Sequence, residues 1–548
     1  LDGFTVPSSV AAIAKAITGA YLSSTGNAFT TRTASQIVQE YFQPGEKDRN
    51  GDGVASGPLY GVQFSQLPCS DLNVWLSQSA TIGPKRSPIG LSADPGGFPI
   101  YENGRVVGGI GVMASANAAT NAIYSLDDNL QDVETDLEEE IAMAALPEEF
   151  RPPEQIQARF ITANGQAFQY SNTIPGTAAQ ANVVSNGAFV ALAGYKAAAN
   201  AIDGTAYGTA ASGYVATQNA AFTGLDTFNL VTDPNDATSV RFPTVAAAGN
   251  TITQAEVESI LVQGMTLANR ARGQIRIPLG AAAQVTVSIV DTQGNIIGLV
   301  RSADAPIFGT DVSVQKARSA LLFSGSNTSL SEMQAINGGA GASFVNAMNS
   351  FFANKNPVLD GSVAYSARSI GNVHRPFFPD AIASSGVTGP LSTPISSWSP
   401  FNVGFQLNVV SGEVLSTAFT ATRTVGANNF DPQPVHTCVD EGVVATNTKR
   451  YANGFQIFPG GFPIYKGDTL VGAVGISGDG VDQDDMVGYL GVINAATATG
   501  SNMRPYPSTL THAGELRQSG VNLKYVQCPQ VPFNDSSEQD FCPAVGAP

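Results

Sequence analysis

A short acidic loop near the start of the chain has the residue types of a calcium site. Asp48, Asn50 and Asp52 alternate within the run Asp-Arg-Asn-Gly-Asp-Gly. Side-chain oxygens at alternate positions can converge on a hard cation, and the glycine permits the sharp turn. The twelfth position is Leu59, where the helix-loop-helix form of this site carries a bidentate glutamate. The loop therefore predicts a Ca²⁺ site with an incomplete ligand set, against the alternative of an ordinary polar turn.

A second acidic stretch leads into a predicted helix. Residues 477–485 read Ser-Gly-Asp-Gly-Val-Asp-Gln-Asp-Asp, and a helix is predicted over Met486–Leu490. The carboxylates could form a cation site. The simpler interpretation is capping, because acidic side chains at a helix N-terminus interact favourably with the helix dipole.

The four cysteines are Cys69, Cys438, Cys528 and Cys542, and none forms a Cys-x-x-Cys motif. Zinc-ribbon, thioredoxin-type and c-type haem attachment sites therefore lack support. One arrangement pairs Cys438 with Cys528 inside a domain and Cys542 with Cys69. The local alternative pairs Cys528 with Cys542. Four cysteines allow three pairings, and the sequence does not choose among them.

The bulk composition excludes several classes of function. The chain of 548 residues has a formal net charge of −17, only 13% charged residues and 57 glycines. So acidic a chain repels phosphate backbones and anionic membranes, and no apolar run approaches the length of a membrane span. No nucleophile-elbow, zinc-protease, P-loop or dinucleotide-binding motif supports an enzyme. Few lysines and an even number of cysteines predict an extracellular or periplasmic protein with disulfides.

Seven consecutive residues, Pro-Gly-Gly-Phe-Pro-Ile-Tyr, occur twice, at Pro95–Tyr101 and at Pro459–Tyr465. Each copy continues through a short turn into a glycine-rich apolar segment, and the two stretches align without a gap. The first turn contains Asn103 and Gly104, a strong hairpin signal because both residues tolerate positive φ. The chain therefore contains a duplicated unit built around a β-hairpin. Glycines inside the return strands indicate close packing against a helix or a flat ligand.

Further paired segments extend the duplication over two predicted domains. The pairs are 15–23 with 316–324 (helices), 28–33 with 364–369, 60–64 with 403–407 (alternating strands) and 151–170 with 504–525 (each ending in a closing strand). The predicted organisation is a first domain at 1–172, an Ala/Asn/Gly/Thr-rich linker or insertion at 173–250, a second domain at 251–527 with an insertion at about 338–400, and a Cys-containing tail at 528–548.

The second copy has more sequence upstream than the first. A capping box from Thr253 to Glu256 opens a helix that runs to about Arg272, and a hairpin follows over 284–301. Only fourteen residues precede Lys15 in the first copy. We predict that the first domain lacks its N-terminal helix and hairpin, which were cleaved off, belong to another segment or come from a neighbouring subunit. An edge left open in this way would accept a strand from another chain.

The helix, the Val-Ser-Ile-Val-Asp-Thr-Gln-Gly-Asn hairpin, the Lys316 helix and the second Gly-Gly-Phe-Pro-Ile-Tyr hairpin together resemble the GlcG/HbpS-like family, described as haem-binding. The larger exported members carry two copies, and the resemblance covers most of 1–172 and 251–527. It implies an α+β fold with two tandem copies of an antiparallel sheet of about five strands flanked by helices. It also implies haem or iron binding, oligomerisation and, in some members, protection against oxidative stress.

The resemblance directs attention to the histidines, because haem iron is usually held by histidine, cysteine, methionine or tyrosine. In related domains a ligand histidine lies in the N-terminal helix, but the corresponding helix here has none. The three histidines are His374, His436 and His512, and none belongs to a duplicated motif. His374 and His436 are the candidate haem ligands. The simpler interpretation of each is a surface or loop residue.

Two functions follow from these observations. The leading hypothesis is an exported, non-catalytic binding protein whose ligand is haem, a related tetrapyrrole or iron. The alternative is a structural protein that forms extracellular oligomers or filaments, with ligand binding vestigial. Low charge, the truncated first domain and the missing helix histidine favour this alternative. In either case we expect a homo-oligomer or a partner segment that completes the first domain.

Overall fold

A computed structural model of the chain describes residues 2–40, 60, 62–67, 69–72, 74–77, 80–115, 122–127, 129, 133–134, 136–163, 166–173, 203–379, 386–423, 438, 449–539 and 542. The chain divides into two compact units. Unit 1 comprises 1–207, 275–278 and 413–436, and unit 2 comprises 208–274, 279–412 and 437–548. Within the described ranges, no helix combines the length and the apolar character needed to cross a membrane.

Helices and strands are mixed along the chain, as the predicted α+β class requires. The helices are α1 Ser8–Tyr21, α2 Thr31–Val38, α3 Leu137–Ala145, α4 Gln254–Arg270, α5 Phe308–Ser324, α6 Asn327–Ala335, α7 Gly341–Phe351, α8 Ala367–Val373, α9 Phe405–Arg423 and α10 Val481–Thr499. The strands are β1 Val74–Ser77, β2 Ala80–Ile82, β3 Gly97–Glu102, β4 Arg105–Gly111, β5 Thr162–Ala163, β6 Gln166–Ala167, β7 Tyr214–Ala216, β8 Thr227–Asp233, β9 Asp236–Val240, β10 Val285–Asp291, β11 Ile296–Ser302, β12 Val363–Ala364, β13 Gly461–Lys466, β14 Thr469–Gly478, β15 Met503–Arg504, β16 Thr511–His512, β17 Arg517–Gln518 and β18 Val521–Asn522.

Unit 2 is built on one eight-stranded sheet. Its strands follow the order β15-β13-β14-β10-β11-β8-β7, with β9 paired to β8, and the pairings are antiparallel. Helices cover both faces, because Gly475 of β14 points at α5 while its neighbour Ile476 approaches Gly488 of α10. The central strand β10 is therefore buried at all seven of its residues.

The observed sheet is larger than the predicted five strands, because part of the predicted linker joins it. The structure describes residues 203–250 of that segment, and they supply β7, β8 and β9. Tyr214 and Leu230, which face each other across β7 and β8, are both buried. The small and polar composition of this segment is typical of a linker, but its sequence also contains short apolar stretches such as 228–231, and these pair once a sheet edge is available.

The helix predicted to open the second domain is confirmed as α4. Thr253 accepts a hydrogen bond from the Glu256 amide at 3.2 Å, and the Glu256 carboxylate accepts one from the Thr253 amide at 2.7 Å. This reciprocal pair satisfies two amides that would otherwise lack partners at the start of the helix. The strand predicted over 403–407 is wrong, because α9 begins at Phe405. Five alternating residues are too few to separate a strand from the first turn of a helix.

The duplicated heptapeptide forms the same hairpin in both units. In unit 1, Ile100 of β3 lies opposite Gly108 of β4, and the register shifts after Ile100. In unit 2, Ile464 lies opposite Gly472, and the register shifts at the same place. The turn residue Asn103 has a φ of 51°, as an Asn-Gly hairpin turn requires.

Each hairpin rests directly on the backbone of a helix. A Cβ atom at Gly111 of β4 would collide with the Ala12 carbonyl of α1, and one at Gly475 of β14 would collide with the Ser313 carbonyl of α5. The predicted close packing against a helix is therefore confirmed, and glycine is required because no side chain fits between strand and helix.

Candidate functional site

A buried lysine of unit 1 is surrounded by acidic side chains. Lys15 of α1 is fully buried and forms ion pairs with Asp94 and with Glu138 of α3. Its ammonium also donates a hydrogen bond to the Pro95 carbonyl at 2.7 Å. Burial raises the pKa of Asp94 to about 7, and the attraction of Lys15 opposes only part of that rise. Two carboxylates therefore share one cation in a region from which water is excluded.

A second buried cation of unit 1 lies on the adjoining helix. Arg32 of α2 is fully buried, 2.5 Å from Asp127 and 2.8 Å from Glu139. Glu139 also accepts a hydrogen bond from the Asn172 amide at 3.1 Å. The guanidinium thus joins α2 to α3, and the carboxylate joins α3 to the closing segment of the unit.

Unit 2 contains the counterparts of both cations. Lys316 of α5 lies 2.8 Å from Asp484 and donates to the Ile476 carbonyl at 2.7 Å. Arg368 of α8 lies 2.5 Å from both Asp482 and Asp485. The Gln527 amide of the closing segment donates to Asp485 at 3.0 Å, as the Asn172 amide does to Glu139.

The acidic residues at the start of α10 are explained by these ion pairs. The N-cap residue of α10 is Gly480, which has no side chain for capping, so of the predicted capping only the favourable placement of acidic residues near the helix dipole remains. Burial raises the pKa of Asp484 to about 7, against the attraction of Lys316. In the described ranges, no group of three or more His, Cys, Asp or Glu side chains is placed to hold a metal ion. These carboxylates therefore bind internal cations and fix helices to the hairpins.

His374 follows α8 and is enclosed by aromatic rings. Its imidazole is 1% exposed, and the ring centroids of Phe323, Phe405 and Phe455 lie 6.3, 6.4 and 5.4 Å away. Its Nδ1 lies 2.7 Å from the Ile370 carbonyl, and its buried Nε2 has no hydrogen-bond partner in the described part of the chain. Burial lowers the pKa of His374 to about 4, so the ring is neutral at pH 7.

The chemistry of this histidine fits an axial ligand of haem iron. An Nδ1 that donates its proton to a carbonyl leaves the lone pair on Nε2, and that is the form in which histidine ligates metals. Nε2 is buried and three phenylalanine rings lie around the imidazole, so a tetrapyrrole could reach this atom only if neighbouring side chains move. His374 therefore lies in the turn that follows α8, as a loop residue would, but it is buried and not a surface residue.

Comparison with known proteins finds a family similarity around the second hairpin. Residues 417–492 match a family model described as "Haem degrading protein HbpS-like". This part of the chain is similar to the HbpS-like family. The HbpS-like segment contains the whole β13–β14 hairpin and the first part of α10, including Asp484. The resemblance predicted from the sequence is confirmed for this segment.

Two solved structures show weaker likeness. The chain is similar to the Klebsiella pneumoniae protein ORFY at 17% identity, over 45% of this chain and 90% of that one, with a TM-score of 0.21. It is similar to the protein of the "PduOC:Heme Complex" at 12% identity, over 44% and 94% of the two chains, with a TM-score of 0.19. No curated protein matches the chain.

The remaining predicted site residues are distributed as follows. His436 and the calcium-loop residues Asp48, Asn50 and Asp52 lie outside the described residues, so these predictions stay predictions. His512 packs against Tyr525 with ring centroids 5.1 Å apart.

The cysteines are all oxidised. Cys528 and Cys542 form a disulfide with Cα atoms 6.1 Å apart, and Cys69 and Cys438 are also disulfide-bonded. The alternative with a local bridge is therefore correct, and the pairing of Cys438 with Cys528 is wrong. The short spacing between Cys528 and Cys542 favours their encounter, because closing a short loop costs little chain entropy.

The buried cations were not recognised as site residues, although the sequence contains a signal for them. Lys15 and Lys316 occupy the same place in paired helices, and Arg32 and Arg368 do so in the next paired segment. A charged residue kept at matching places in two diverged copies indicates an internal partner. The identity of that partner depends on the tertiary fold, which brings Asp94 to Lys15 across 79 residues of sequence.

Proposed function

We propose that this protein binds haem or a related tetrapyrrole and is exported. The match of 417–492 to a family described as haem-degrading supports the ligand class. Two disulfide-bonded cysteine pairs support an oxidising compartment. We also propose that binding occurs without degradation, as the absence of recognisable catalytic motifs in the sequence led us to expect.

The observation that supports His374 as the haem ligand is its buried Nε2 atom, which has no hydrogen-bond partner in the described part of the chain. Leaving a buried nitrogen without a hydrogen bond costs about 1–3 kcal/mol, so a native protein keeps one where it has a use. A bound haem would supply an iron that accepts this lone pair. The chain's own contribution is to fix the tautomer through the Ile370 carbonyl and to surround the ring with apolar side chains.

A haem titration of the purified full-length protein tests this proposal. We expect a saturable Soret band, which His374→Phe removes and which the matched variant His512→Phe preserves. Circular dichroism of both variants confirms that they are folded. A wild-type protein that gives no saturable Soret band contradicts haem binding, and a band that decays to cleavage products contradicts binding without degradation.

A second function, assembly into oligomers, is supported by the exposed outer edge of β4 in unit 1. Val107 on this strand is 58% exposed, whereas its counterpart Val471 in β14 is 3% exposed. Light scattering on haem-free protein tests this function. A monomer at all concentrations would contradict it.

A further inference from the structure

The two hairpins differ in what lies beside their second strand. In unit 2, β14 lies between β13 and β10. In unit 1, β4 pairs with β3 only, as far as the described residues extend. The strands themselves share their register, their irregularity and their packing on a helix. The outer backbone groups of β4 thus have the geometry of a paired strand and no described neighbour.

Gly108 provides an independent sign that a neighbour belongs there. At its counterpart Gly472, a Cβ atom would collide with the Val290 carbonyl of β10, so the adjacent strand requires glycine. At Gly108, no atom lies within 4 Å of the place that a Cβ would take. Glycine in a strand interior usually marks a bulge or a close approach of another backbone. Gly108 and Gly472 both lie beside a register shift, and at Gly472 the close backbone of β10 applies as well. The described structure of unit 1 supplies no such backbone.

Most of the edge lacks the side chains that usually protect exposed strands, because Arg105 and the register shift both lie at the turn end of the hairpin. Proteins block open edges with charged residues, proline or a covering segment. Between Val106 and Gly111, β4 reads Val-Val-Gly-Gly-Ile-Gly, with neither a charge nor a proline. An unprotected edge of this kind is a template for strand addition.

We propose that the outer edge of β4 is a docking site for an extended segment of a separate polypeptide. The occupant runs antiparallel to β4 and has the chemistry of β10, an uncharged strand rich in β-branched residues that ends in an acidic residue. The template is the pairing in unit 2, where β10 runs antiparallel to β14 from Val285 opposite Gly478 to Asp291 opposite Gly472. This inference does not depend on tetrapyrrole binding, and it gives the assembly function a specific surface.

Hydrogen exchange on the full-length chain, with a synthetic peptide of residues 284–292 as the probe, tests the proposal. We expect saturable binding and amide exchange over 105–111 that slows about tenfold or more when the peptide is bound. Gly108→Val should abolish this protection because its side chain fills the space that the peptide backbone needs. The matched change Gly204→Val lies at another glycine with open space around it and should leave the protection intact.

Each other outcome contradicts the proposal. If the peptide does not slow amide exchange over 105–111, or slows it equally in Gly108→Val, the edge is not a docking site for such a strand. If the amides of β4 are already protected in the free chain, its own residues cover the edge. If protection instead rises with protein concentration, a second copy is the occupant. The assembly function fails separately, when light scattering shows a monomer in the presence and absence of peptide.

Discussion

Replacing Gly475 with alanine should destabilise unit 2 through a single methyl group. The new Cβ would lie 2.7 Å from the Ala317 nitrogen and 2.9 Å from the Ser313 carbonyl carbon, and it would overlap the Ser313 carbonyl oxygen. Ordinary contacts between such atoms are about 3.5–4.0 Å, so the Ala317 nitrogen would have to retreat by about 0.8 Å and the overlapping Ser313 oxygen by more. All 17 residues of α5 are buried, so the helix has no free side toward which to move.

Overpacking of this kind costs about 1–3 kcal/mol. We expect the upper half of that range, because strand and helix backbones meet directly and no flexible side chain can yield. A loss of about 2–3 kcal/mol lowers the ratio of folded to unfolded protein by about 30- to 150-fold. The counterpart Gly111→Ala should cost a similar amount in unit 1, because Ala12 blocks its Cβ in the same way.

Hydrogen exchange monitored over 308–324 and 469–478 is the suitable assay, because a chain with two units need not unfold in a single step. Gly108→Ala is the control for Gly111→Ala in unit 1, monitored over 8–21 and 105–111, since its Cβ meets no atom within 4 Å and it should change the unfolding free energy by less than about 0.5 kcal/mol. If Gly475→Ala leaves the exchange over 308–324 and 469–478 as it is in the unchanged protein, the contact between strand and helix backbones is not as close as described.

Three further predictions concern charge and covalent structure. Burial raises the pKa of Asp94 from 3.8 to about 7, so the folded protein binds one more proton than the unfolded chain between those values, and the unfolding free energy should fall as pH rises through that window. In Asp94→Asn, denaturant titrations at several pH values should show a smaller decrease of the unfolding free energy with pH. An unchanged pH dependence in this variant contradicts the prediction. Arg368→Met should lower the unfolding free energy by about 3–5 kcal/mol in the same titration, because it leaves the buried Asp485 carboxylate without its cation. A decrease of less than about 1 kcal/mol would refute the pairing. Replacing Cys528 and Cys542 with serine should lower the unfolding free energy by about 3 kcal/mol, because the disulfide closes a loop between residues 14 apart and so restricts the unfolded chain. An unchanged melting temperature would contradict this expectation.

The hairpins were predictable because their signals are local. Asn103 and Gly104 specify the turn, and the apolar residues on each side specify two short strands. The capping box at Thr253 likewise fixed where α4 begins, since its partner Glu256 lies within one helical turn. Such features depend on residues close in the sequence, and no knowledge of the tertiary fold is needed to identify them.

The candidate site was less predictable because its contacts join distant segments. Nothing near Lys316 indicates that its partner is Asp484, 168 residues later, or that burial raises the pKa of that carboxyl. The environment of His374 is assembled from Phe323, Phe405 and Phe455, which lie on separate parts of the chain. The sequence identified the histidine as a candidate, whereas its burial and its unpartnered nitrogen required the fold.

The contrast between Gly108 and Gly472 has a consequence for how related sequences should vary. Both glycines occupy the same place in the same motif, so a sequence profile would give them equal weight. In unit 2 the β10 backbone forbids any other residue at 472. If no strand docks on unit 1, position 108 is under no such restriction and should drift to other residues among relatives. A glycine retained at position 108 across divergent relatives would indicate that a partner strand has restricted this position.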